Sequence, residues 1–95
     1  MSEDAPRVTI RLPSVLKVMV GRDRIPVRAR TVQAALDAAF DALPALRHHL
    51  AHEAGGLRPH VLCLVNEKHV PRDALATTPV EEGDVIQIWQ AITGG

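Results

Sequence analysis

Residues 7–12 read RVTIRL and residues 24–30 read RIPVRAR, and both alternate apolar with polar at every step. A period of two puts successive side chains on opposite faces of a strand, which marks a strand buried on one side only. In the first stretch Val8, Ile10 and Leu12 face one way, and Arg7, Thr9 and Arg11 the other. In the second, Ile25, Val27 and Ala29 face inward, and Arg24, Arg28 and Arg30 outward. Pro26 has no N–H for a ladder bond, so the second strand belongs at an edge. Residues 14–21, closed by Gly21, read as a connection, which makes the pair an antiparallel hairpin with a long turn. The period then changes. Thr31 is placed to cap a helix, and Val32, Ala35, Leu36, Ala39, Phe40 and Leu43 recur at helical spacing, with Asp37 and Asp41 on the wet side. A half-buried hairpin and a one-stripe helix each need a cover, and each can cover the other.

The rest of the chain completes this pairing. Pro44 stops or kinks the helix and opens a turn-rich segment, PALRHHLAHE, that ends at Gly55-Gly56. HVLCLVN (60–66) is a continuous apolar run, expected to be a central strand covered on both faces. Residues 66–68 turn, 69–71 form a short strand, and 72–79 form a turn or a single helical turn. Residues 82–84 turn again, and VIQIWQA (85–91) is the last strand, with Ile86 and Ile88 on one face and Val85, Gln87 and Trp89 on the other. The order predicts an α+β domain over 7–89: one mixed sheet of four to five strands with one main helix packed on one face. Residues 1–6 are expected to be loose and 90–95 to form a tail. The strands flanking the crossover helix are expected to form a parallel central pair.

Composition narrows the function. Aromatic residues are confined to Phe40 and Trp89, so the core is aliphatic. Eleven basic residues balance eleven acidic ones, which argues against a general nucleic-acid binder. The balance hides an asymmetry: residues 1–30 hold seven Arg/Lys against three Asp/Glu, and residues 31–95 hold four against eight. A single cysteine, Cys63, cannot form an internal disulfide. No apolar run approaches the roughly 20 residues of a membrane span, and the polar start MSED is unlike a signal peptide. A cytoplasmic protein without a membrane partner is expected.

Several segments taken together resemble the ubiquitin-like, β-grasp sulfur carriers of the ThiS/MoaD family. They are VTIRLPSVL (8–16), TVQAALDAAF (31–40), PALRHHL (44–50), LRPHVLCLVN (57–66), EEGDVIQI (81–88) and the closing TGG (93–95). Members serving molybdopterin synthesis or cysteine biosynthesis look nearest. The chain departs from many relatives near Gln90, where they carry a proline.

The resemblance implies a fold and a chemistry. The fold is the β-grasp. The chemistry belongs to Gly95, whose carboxylate would be adenylated by an E1-like enzyme using ATP and Mg, then converted to a thiocarboxylate. A sulfur donor protein would supply the sulfur, and a sulfur-accepting synthase would receive it. Gly94, Thr93 and Ile92 would thread the activating site, and Gly94 and Gly95 have no side chains to block a narrow channel. Six residues from Gln90 reach at most roughly 20 Å. The chain itself would be a protein substrate with no catalytic residue, no bound cofactor and no metal. Two other readings share these features: a ubiquitin-like modifier conjugated through Gly95, and a β-grasp interaction module that is not conjugated.

The open sheet face is the expected docking surface. If Val8, Ile10, Val27, Val61, Cys63, Val65, Ile86 and Ile88 line the core, that face carries Arg11, Arg28, Leu62, Leu64, Gln87 and Trp89, an apolar centre with a basic rim. Three further features invite chemistry. His48 and His52 share a helix face at a metal-pair spacing, with His49, Glu53 and His60 near in sequence, but no complete ligand set is evident. Cys63, flanked by Leu62 and Leu64, reads as a small core residue. The carboxylates of EEGD (81–84) read as a solvated turn.

Overall fold

The computed structural model describes residues 5–51 and 57–90. Among the described residues five strands and three helices follow in the order β1 (Arg7–Arg11), α1 (Ser14–Val20), β2 (Arg24–Arg28), α2 (Val32–Ala42), α3 (Pro44–Leu50), β3 (Val61–Val65), β4 (Lys68–Val70) and β5 (Val85–Gln90), with a 3-10 turn at Arg72–Ala74. The strands form one sheet in the order β2-β1-β5-β3-β4. β1 and β5 are parallel, and the other neighbours are antiparallel. The helices pack against one face, giving the two-layer α+β architecture that the sequence predicts.

Strand parity sorts the residues as expected. Ile25, Ile10, Ile86 and Val65 line up across the inner face of β2, β1, β5 and β3. Val8, Ile10, Ile86, Ile88, Val61 and Cys63 are buried against Val32, Ala35, Leu36, Ala39 and Phe40 of α2. The Thr31 hydroxyl accepts from the Ala34 N–H at 3.1 Å and starts that helix. β2 is the edge strand that Pro26 requires.

The sheet corrects two expectations. The parallel central pair is β1 and β5, while β2 and β3, which flank the crossover, are not neighbours. Pro26 explains this, because a strand lacking that donor is best kept at the rim. β3 is an interior strand, but its outer face is open: Leu62 is exposed and Leu64 only half-buried. Gln90 closes β5, paired with Val61, within the stretch 85–91 expected as the last strand.

The segment read as a connection at 14–21 contains α1. Pro13 precedes it, and Gly21 ends it at φ +83°, donating its N–H to the Lys17 carbonyl at 2.8 Å. Pro44 opens α3, whose Leu46 and Leu50 are fully buried one turn apart. The segment expected to be loose is tied down from residue 5. Ala5 is buried, and the Pro6 carbonyl accepts from the Ala29 N–H at 3.0 Å. Residues 1–4 lie outside the described residues.

Two turns hold the start of β5. Asn66 and Glu67 have positive φ and join β3 to β4. The Asn66 amide donates to Asp84 Oδ1 at 2.9 Å, and its oxygen accepts from the Val85 N–H at 3.0 Å. Asp84 Oδ2 accepts from the Glu81 N–H at 2.8 Å, and Glu82 Oε1 accepts from the Arg7 N–H at 2.8 Å. The Glu82 and Asp84 carboxylates of EEGD thus act as acceptors for backbone and amide groups that clamp β1, β3 and β5 together.

Candidate functional site

The site is built from the last strand outward. β5 lies between β1 and β3 and is hydrogen-bonded along both sides. A chain segment leaving Gln90 therefore starts from the middle of the sheet, not from a frayed rim. Ile92, Thr93, Gly94 and Gly95, the residues expected to thread and react, lie outside the described residues.

On the open face, cross-strand pairing gathers most of the expected docking residues. Trp89 is opposite Leu62, and both are exposed. One row back, Arg24, Arg11, Gln87, Leu64 and His69 follow one another across β2, β1, β5, β3 and β4. The structure thus brings Trp89, Leu62, Leu64 and Arg11 together at the end of the sheet where β5 runs out. Arg28 does not join them. It is opposite Arg7 at the other end of the hairpin, with its Nη1 donating to the Ala5 carbonyl at 3.2 Å. Arg24 takes the place beside Arg11 that Arg28 was expected to fill. Alternation had placed it outward, but only the hairpin register shows which outward arginine stands nearest the apolar centre.

The row is electrostatically unusual. Arg11 and Arg24 are directly opposite on one face, an arrangement that costs stability because like charges repel at cross-strand distance. Neither guanidinium has a hydrogen-bond or ion-pair partner among the described residues. Two cations held side by side are better suited to meeting carboxylates on another molecule than to stabilising this one.

The remaining candidates take structural roles. Cys63 is buried on the inner face of β3, and burial pushes its thiol from 9.0 up to about 12. The neutral thiol is therefore favoured in the folded state. Between pH 9 and pH 12 the unfolded chain gives up this proton and the folded chain keeps it. That contribution to stability is complete below pH 9 and declines as pH rises through the window, by at most about 1.4 kcal/mol per pH unit. Urea unfolding of the intact chain and of Cys63→Ala at pH 8 and near pH 10.5 should show the steeper decline in the intact chain. At pH 8 iodoacetamide should label the native thiol far more slowly than the unfolded one.

His48 and His49 meet ring edge to ring face, with centroids 5.5 Å apart. His52 and Glu53 lie outside the described residues. Among the described residues no three His, Cys, Asp or Glu side chains gather as a metal-ligand set. Also among them, no helix is long and apolar enough to cross a membrane.

The comparisons with known proteins agree on this framework. The family description "ThiS family" matches residues 15–95, which includes both β5 and Gly95. No curated protein matches the chain at a significant level. Among solved structures, SAMP1 from Haloferax volcanii superposes with a TM-score of 0.81 at 25% identity, covering 94% of this chain and 99% of that one. A chain of the Amycolatopsis orientalis BexX/CysO complex gives 0.77 at 24% identity, covering 93% and 99%. Mycobacterium tuberculosis CysO gives 0.75 at 22%, covering 90% and 99%. The fold is therefore the β-grasp. With the family match running from α1 through Gly95, the chain belongs to the ThiS family, among the ThiS/MoaD ubiquitin-like sulfur carriers.

Proposed function

We propose that this chain carries sulfur on Gly95. The observation that carries the reading is the family match that extends through Gly95, joined to a body that launches its last residues from the central strand. An α-carboxylate is an anion at neutral pH and a poor electrophile. An E1-like partner using ATP and Mg would let a carboxylate oxygen attack the α-phosphorus, with pyrophosphate leaving. Hydrosulfide, delivered by a sulfur donor protein, would then attack the acyl carbon. AMP leaves with the C–O bond pair, and the proton is lost to solvent, leaving a thiocarboxylate on Gly95. A sulfur-accepting synthase takes the sulfur onward.

Five residues beyond Gln90 reach at most roughly 18 Å, enough to enter a partner's site while the body stays outside. Gly94 adds no side chain to that path. The ordering entropy of such a segment opposes binding, so the body must contribute affinity through contacts of its own.

The test is intact mass. Incubation with the E1-like adenylating enzyme of the same organism, ATP-Mg and sulfide should add about 16 Da, one oxygen replaced by sulfur, at the last residue. A body that binds this enzyme yet never changes mass would refute the reading.

Conjugation to lysine is the second reading, favoured by the likeness to SAMP1, whose homologue from Methanosarcina acetivorans is named a small archaeal modifier protein. It predicts a different product, a covalent adduct of this chain with a lysine-bearing protein and no sulfur gain.

A further inference from the structure

Helix α1 has apolar residues on two sides. Leu16 is buried and Val20 packs partly against the core, while Val15, Val18 and Met19 point away at i, i+3 and i+4 spacing. These three are 50%, 85% and 55% exposed. A short helix that is apolar on both sides is one that something covers on both sides. With Leu62 and Trp89, they are the exposed large apolar side chains among the described residues.

All five lie at one end of the molecule. β1 and β5 run parallel with Arg11 beside Gln87, so the chain leaving β1 into α1 and the chain leaving β5 depart from the same end of the sheet. Leu62 is brought there by its pairing with Trp89. Isolated exposed apolar residues are ordinary, whereas a gathered set marks a contact surface.

The charges around this surface indicate what covers it. Arg11, Lys17, Arg22 and Arg24 stand on its β1–α1–β2 flank, offset by Asp23, which lies 3.9 Å from Lys17. Glu67, Glu81, Glu82 and Asp84 are at the opposite end, where β5 begins. A twofold contact between two copies through the apolar end would set these cations against themselves. A protein surface with an apolar centre and a carboxylate border would meet them favourably, and at this end it would be within reach of the residues that follow Gln90.

We propose that α1 forms half of the docking surface for the adenylating partner: Val15, Val18 and Met19, at the same end of the sheet as Trp89 and Leu62, seat in an apolar partner groove bordered by carboxylates. This rests on the carrier reading above.

The experiment uses the full chain and the purified E1-like adenylating enzyme of the same organism with ATP-Mg. Affinity is measured by calorimetry, and adenylation by pyrophosphate release. Val18→Glu with Met19→Glu should raise Kd and KM by about 30-fold and leave kcat at saturation within about 2-fold. Trp89→Ala should act in the same direction, and Val18→Ile with Met19→Leu should stay near the intact chain. Circular dichroism should give unchanged melting for all three, since these positions are exposed. Raising salt from about 50 to about 300 mM should weaken binding of the intact chain several-fold.

Unchanged KM in the Val18→Glu, Met19→Glu variant would overturn the docking proposal and leave the carrier reading standing. An intact chain that binds without modification at Gly95 would overturn the carrier reading instead. No binding at all overturns both. A dimer of the intact chain that this double substitution dissolves, or its binding to phosphatidylserine vesicles through the same residues, would show the surface has another occupant and overturn the docking proposal.

Discussion

Removal of Gly94 and Gly95 is expected to abolish the mass gain completely while shifting the melting temperature by less than about 2 °C. The two halves of this expectation come from different places in the molecule. The described core is closed by α2, α3 and the inner residues of five strands, and the sheet register is complete at Gln90. Stability has no stated need of the last two residues. The chemistry, in contrast, has no other electrophile: the proposed product forms on the α-carboxylate of Gly95 or not at all. Shortening by two residues also moves the new carboxylate back by up to roughly 7 Å, far beyond what an activating site tolerates. Intact mass with the enzyme, ATP-Mg and sulfide, run beside a thermal melt, checks both halves in one sample. A truncated chain that still gains about 16 Da would remove Gly95 from the mechanism.

The opposite dissociation is expected three residues before the end of β5's outer patch. Ile86→Ala should cost about 3–4 kcal/mol, a large share of the 5–10 kcal/mol usual for a domain of this size. Ile86 is fully buried between Ile10 on β1 and Val65 on β3, so truncation leaves a cavity at the middle of the sheet with neighbours on both sides. The melting temperature should fall by roughly 12–25 °C, read by calorimetry. Below that temperature the surviving folded fraction should bind its partner with nearly the affinity of the intact chain. Trp89→Ala, on the opposite face of the same strand, should do the reverse. A small shift for Ile86→Ala, below about 1 kcal/mol, would mean that the sheet centre relaxes in a way its packing does not suggest.

How much of this was legible in the sequence depends on the range of the signal. Val8, Ile10, Ile25 and the stripe from Val32 to Phe40 could be read because parity and helical period act over a few residues. Strand partners could not. Nothing near residues 7–11 says that Val85 to Gln87 will lie beside them in parallel, and adjacency to the crossover pointed to a different pair. α1 was hidden for another reason. Pro13 and Gly21 bracket it with suitable start and stop residues, yet its apolar residues fall on two sides, so no single stripe stands out. The same pattern that concealed the helix exposes Val18. At the site, Trp89, Leu62, Leu64 and Arg11 were found by parity, whereas Arg28 was misplaced because parity assigns a face and not a distance along it. The role proposed for Gly95 came through resemblance, since a residue without a side chain offers no pattern of its own.

The central place of β5 has a consequence for how the protein comes into being. Synthesis runs from the first residue onward, and the strand that must fill the gap between β1 and β3 is the one made last. Until it arrives, both of its neighbours show unpaired edges, and the inner ladder that joins Ile10 to Val65 through Ile86 does not exist. Joining positions 9 and 85 also closes nearly the whole chain into a loop, a slow step for a domain of this length. A chain halted before Val85 should therefore remain unfolded and open to proteolysis. Any copy compact enough to present its apolar end to a partner has already been translated through the strand that precedes the residue proposed to react.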